Sequence, residues 1–163
     1  IYTSPMERAR ETAQTVSVHC DAPVRVRDDL TEIDFGEWTG RTFEELATMS
    51  QWQRFNEARS VAAVPGGERA VDAQRRIVRA LSTLAERHWG ERIAVMTHAD
   101  MIRYAVLHYT RTSLDLLHEV DIDPASVTTV VVSASDAQVI SVNETIDARD
   151  ETGQPGRRIQ QSS

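Results

Sequence analysis

The segment RIAVMTHADMIRYAVLHY, residues 92–109, constrains the fold more than any other stretch of the chain. From Arg92 to Thr97 it is an apolar run of strand length without alternation, the pattern of a strand covered on both faces. His98 stands at the exit of that run. Ile102, Ala105, Val106 and Tyr109 then recur at helical spacing, so the unit is strand, histidine, helix. A strand that passes straight into a helix belongs to a parallel sheet, because parallel neighbours need a crossover between them. The expected class is α/β, a three-layer α/β/α sandwich around a mostly parallel sheet.

The remaining segments fit that class. Ser4-Pro5-Met6-Glu7 reads as a helix start, with a capping serine, a proline at the first helical position and a glutamate three residues on to complete a capping box. Ala9, Ala13 and Val16 give that helix an apolar stripe, and Val24 to Val26 follow as a short strand. Asp28 to Gly40 form a loop broken at Gly36 and Gly40. Thr42 and Glu45 predict a second capping box, opening a helix to about Met49. Trp52 and Phe55 anchor a mixed stretch, and Val64-Pro65-Gly66-Gly67 turns into a helix that buries Val71, Ile77, Val78, Leu81, Leu84 and Ala85. Ser126–Ser133 and Ala137–Asn143 read as two late strands forming a hairpin. Beyond Asp147 the composition turns polar, with Gly153, Pro155 and Gly156. One domain is expected over residues 1–146, with a mobile tail over 147–163.

Composition removes whole classes of function. With 163 residues, 40% of them hydrophobic, the chain suits one domain with a real core. A formal net charge of −7 opposes a nucleic-acid partner, which would require a basic face. No lysine occurs, so all 18 basic residues are arginine, and both Schiff-base chemistry and a lysine-dependent phosphate loop are excluded. Anion recognition must use arginine, histidine or backbone amides. Cys20 has no internal disulfide partner, and no apolar run approaches membrane-spanning length, so the expected setting is the cytoplasm.

In parallel α/β sheets ligands bind beyond the carboxyl ends of strands, beside helix N-termini. Arg8 and His98 both occupy such positions. An arginine near a helix N-terminus opposes the helix dipole at a cost of about 0.3–1 kcal/mol, which makes sense where an anion is shared between guanidinium and amides. Pairing with Glu11 or simple solvation is the other explanation. His98 could donate a hydrogen bond to a phosphoryl oxygen, or be a satisfied structural histidine. Glu32, flanked by Leu30 and Ile33, could be desolvated into a proton donor, or be a solvated loop carboxylate.

Four motifs occur together: SPMERARETA, LTEIDFGEWTGRTFEEL, the PGGE of Pro65 to Glu68, and the THAD of Thr97 to Asp100. In this order the chain resembles the histidine phosphatase superfamily, the phosphoglycerate mutase-like proteins, to about residue 145. The resemblance implies phosphomonoester hydrolysis, or mutase-type phosphoryl transfer, through a phosphohistidine, with a small phosphorylated substrate and with no cofactor or metal. It also implies the site residues: Arg8 as a phosphate-binding arginine, Glu32 as proton donor to the leaving oxygen and His98 as the second active-site histidine. Glu68 matches a motif position without a catalytic step.

Two departures accompany the resemblance. The family's nucleophile lies in an arginine-histidine-glycine motif after the first strand, and none of His19, His88, His98, His108 or His118 has that context. The chain opens at Ile1 in what reads as a strand end, so a first strand and helix are expected to be missing and the chain as given is expected to be inactive. Ala99 also follows His98 where the family commonly has glycine. A non-catalytic phosphate-binding module is the alternative function, and a metal site of His98, Asp100 and His118 or Asp121 is a third reading without recognised ligand spacing. For Arg54 and Arg59, in the stretch Trp52 to Pro65, exposed helix arginines are the commoner explanation and substrate contact from a lid is the other. An open sheet edge would favour association, and the sequence does not define an oligomeric state.

Overall fold

The computed structural model describes residues 1–133 and 136–145. The tail expected over 147–163 lies outside them. Three short parallel strands, β1 (Tyr2–Thr3), β2 (Arg25–Val26) and β3 (Val95–Met96), form a sheet in the order β2-β1-β3. Helix α1 (Glu7–Cys20) joins β1 to β2 and packs on β1 and β3, while α5 (Ala99–Tyr109) leaves β3 directly. The strand, histidine, helix unit is therefore as expected. The strand is shorter than the apolar run: Arg92 and Ile93 lie outside it, although the Ala94 carbonyl still accepts from Tyr2 N at 2.8 Å.

The middle of the chain supplies α2 (Phe43–Ala47), α3 (Ser50–Glu57) and the long α4 (Ala70–Arg87), and β4 (Val127–Val132) with β5 (Ala137–Glu144) closes it as an antiparallel hairpin. Thr42 and Glu45 make the expected capping box, each side chain bonded to the other's backbone amide. The α2 helix ends at Ala47 rather than Met49, and a second helix starts three residues later. Along α4 the innermost side chains are Ala70, Ala73, Ile77, Ala80 and Leu84. The three alanines let α4 approach α5, whose Met101, Tyr104 and Leu107 are fully buried. Phe35, Trp38, Trp52 and Phe55 form an aromatic cluster with centroids 5.2–6.4 Å apart, which seats α3 against the loop after β2. Among the described residues β3 pairs only with β1, and β4 only with β5.

Candidate active site

The sheet register determines the site. Thr3 of β1 lies opposite Met96 of β3, so the residues that leave these adjacent strands emerge side by side. Ser4 follows β1 and His98 follows β3. Ser4 was expected to cap α1 in a box with Glu7, but the helix begins at Glu7 with Met6 at its N-cap and no side-chain cap. The buried Ser4 hydroxyl instead accepts from Met6 N at 3.2 Å and meets His98 Nε2 at 2.8 Å. The two-residue delay is the local price of turning the serine inward.

Arg8, in the first turn of α1, reaches back across the strand ends to His98 Nδ1 at 2.9 Å. A guanidinium only donates, so Nδ1 is the acceptor and the neutral ring carries its proton on Nε2, which donates to Ser4 Oγ. Burial, with the positive charges of Arg8 and Arg76, lowers the His98 pKa to about 4, so the ring is neutral at pH 7. Arg8 itself stays exposed, with no Glu11 partner among the described contacts. His98 is 5% exposed and is the N-cap of α5 in backbone geometry.

The third strand exit brings Glu32. After β2 the chain makes a 3-10 turn at Asp28–Leu30, and Thr97 Oγ1 donates to the Leu30 carbonyl at 2.7 Å, which ties this loop to the end of β3. Leu30 and Ile33 are buried on either side of Glu32, as their spacing predicts. Burial, reinforced by the negative charge of Asp100, raises the Glu32 pKa to about 7 against the opposing pull of the Ile33 amide, Arg8 and Arg76. Arg8 acts electrically on both Glu32 and His98. The three residues singled out by the sequence thus gather at the carboxyl end of one sheet, one cation, one neutral imidazole and one carboxyl protonated below about pH 7.

Further residues complete the surroundings. Asp100 is buried and accepts from Arg59 at 2.8 Å and Arg103 at 3.1 Å, so both its oxygens are occupied by arginines and a His98–Asp100 metal pair is not favoured. Arg59 is 7% exposed, donates also to the Tyr104 hydroxyl and lies 4.4 Å over the Phe55 ring, which corrects its reading as an exposed helix arginine. Arg54 is exposed on α3. Arg76 of α4 acts on both Glu32 and His98 and was missed. Its signal was available: Arg76 sits beside Ile77 and one turn before Ala80, at the edge of the buried face of α4.

The α/β domain thus gathers an arginine, a neutral histidine and a carboxyl of raised pKa at its strand ends. The profile of the histidine phosphatase superfamily (branch 1) matches residues 1–145, and the chain belongs to that superfamily. It is 33% identical over 107 residues to phosphoglycerate mutase-like protein 4 of Arabidopsis thaliana, covering 63% of this chain and 46% of that protein. It is 30% identical to the metal-independent phosphoserine phosphatase of the same plant, covering 69% of this chain and 49% of the relative. The chain thus spans about half the length of these curated relatives. Among solved structures, Bacillus stearothermophilus YhfR superposes with a TM-score of 0.82 at 30% identity, covering 89% of this chain and 73% of that one. Among the described residues no helix is long and apolar enough to cross a membrane.

Proposed function

We propose that this chain supplies the phosphate-binding and proton-donating half of a phosphomonoester hydrolase that works through a phosphohistidine, with the attacking histidine encoded ahead of Ile1. The observation that carries the reading is the Arg8–His98 contact of 2.9 Å beside a carboxyl under the influence of the same arginine. A phosphoryl dianion competes for Arg8, and its charge favours a proton on His98, turning an acceptor nitrogen into a second cationic donor. The upstream histidine then attacks phosphorus while the bond to the leaving oxygen breaks, and Glu32 gives that oxygen its proton. Glu32, now a carboxylate, takes a proton from the water that cleaves the phosphohistidine. Inorganic phosphate leaves and the acid is restored.

Two features support a contribution from upstream. His19 bonds its own helix at the Thr15 carbonyl, His88 is held between Tyr2 and Glu91, and His108 and His118 are exposed away from these contacts. The edges of β3 and β4 that are unpaired among the described residues also offer a place for a further strand. Relatives named as phosphoserine phosphatases favour a small phosphorylated substrate, with water rather than a second substrate hydroxyl as acceptor.

The test compares the 163-residue chain with the same chain extended upstream, using p-nitrophenyl phosphate. Only the extended protein is expected to turn over, and His98→Ala within it should slow turnover by about 10²–10⁴-fold. Turnover by the shorter chain that survives His98→Ala would overturn the reading. Binding of inorganic phosphate by the extended chain without turnover would favour a phosphate-binding module instead.

A further inference from the structure

We infer that Arg76 is the positioning residue of this site: held on one side by Glu68, its guanidinium grips the Asp29–Glu32 backbone and so fixes where the Glu32 carboxyl is presented. The inference rests on the reading of Glu32 as proton donor and assigns a role to two residues that the proposed chemistry leaves unused.

A guanidinium has five N–H groups, and here each has an acceptor. Nε and Nη2 form a bidentate pair with Glu68, at 2.9 and 2.7 Å. Nη1 donates to the Asp29 and Thr31 carbonyls at 3.0 and 2.8 Å, and the remaining Nη2 proton is shared between the Glu32 carbonyl at 3.4 Å and Met101 Sδ at 3.8 Å. A simple surface ion pair would need only Glu68. Three carbonyls within four residues, ending at Glu32 itself, describe a clamp on one loop.

The glycine turn explains how Glu68 reaches this position. Glu37 N donates to the Pro65 carbonyl at 2.9 Å and Glu68 N to the Asp34 carbonyl at 2.8 Å, zipping the turn onto the loop after Glu32. The two backbones approach so closely that a Cβ on Gly67 would lie 2.4 Å from the Asp34 oxygen, and one on Gly36 would lie 2.2 Å from the Pro65 oxygen. Gly36 also has a φ of +50°, in the left-handed region. The PGGE motif is thus the bridge that brings a carboxylate to Arg76, and Arg76 passes the constraint from rigid α4 to the Glu32 loop.

The charges that face Glu32 are Arg8 from α1, Arg76 from α4 and Asp100 from α5. This lets a clamp be told from a mere field. In the 163-residue chain the Glu32 carboxyl is followed by carbon-13 NMR against pH, with circular dichroism and thermal melting as checks of folding. The wild-type midpoint is expected at about 7. Loss of the clamp frees the loop and lets water reach the carboxyl, so in both Arg76→Lys and Arg76→Met the midpoint should fall toward the ordinary 4.5. Lysine keeps the charge but cannot reproduce a planar five-donor fork. If Arg76 acted only through its charge, Arg76→Lys would stay near 7 and Arg76→Met would rise above it, and either result overturns the proposal. An unchanged midpoint with a lowered melting temperature, or failure of both variants to fold, would make Arg76 a scaffold residue and equally overturn it. No turnover enters this readout. A catalytically silent extended chain with the expected Glu32 shifts would reject the proposed function and leave the clamp standing.

Discussion

Glu32→Gln in the upstream-extended protein is expected to cut hydrolysis of an alkyl phosphomonoester such as glycerol phosphate by about 10²–10⁴-fold, and hydrolysis of p-nitrophenyl phosphate far less. The difference follows from the leaving group. An alkoxide is a strong base that cannot depart without a proton, whereas nitrophenolate is stable as the anion. Because Glu32 titrates at about 7, the wild-type rate on the alkyl ester should decline as pH rises through that value. The glutamine variant should lack this limb. Equal losses on both substrates would show that Glu32 does something other than protonate the leaving oxygen.

The second large effect concerns stability, where Glu32 and His98 act in opposite directions. Glu32 moves up from 4.5 to about 7 on folding, so the folded state holds the extra proton between those values and stability falls as pH rises through that window. His98 moves down from 6.5 to about 4, so the unfolded chain holds the extra proton and stability falls as pH drops through that window. Between about pH 4.5 and 6.5 the two slopes cancel. Urea unfolding should therefore show each variant exposing the other's slope. In Glu32→Gln, stability relative to wild type should gain about 3 kcal/mol from pH 4 to 8, and in His98→Gln it should lose a similar amount. The difference from wild type isolates each group from the other titrating residues. Parallel profiles in all three proteins would mean that neither side chain is buried as described.

The parts of this site that the sequence revealed are those in which local pattern and chemistry coincide. The apolar run before His98 and the helical spacing after it announce a strand exit, and Leu30 and Ile33 announce a desolvated Glu32. Ser4 was misread because its local signal was a good one. Serine, proline and glutamate at capping spacing describe a helix start, and only the pairing of β1 with β3, a contact between residues some ninety positions apart, turns the serine toward His98 instead. Arg59 followed the same logic: an arginine at the end of a short helix looks solvated until Asp100, Tyr104 and Phe55 are brought around it. The break between α2 and α3 was invisible because the whole stretch has mixed polarity, and the aromatic cluster that decides its course is tertiary. The lengths of β2, β3 and β4 were overstated for a related reason, since ladder hydrogen bonds depend on which neighbour is present, whereas β5 runs one residue beyond its expected end.

The central claim, that Arg8, His98 and Glu32 serve one oxyanion, is tested most directly by following the His98 imidazole by nitrogen-15 NMR while inorganic phosphate is added to the 163-residue chain. Phosphate should draw Arg8 away from Nδ1 and raise the His98 midpoint from about 4, so that binding takes up protons and tightens as pH falls, and Arg8→Met should abolish the response. A His98 midpoint that stays near 4 at saturating phosphate, or a response indifferent to Arg8→Met, would contradict the account.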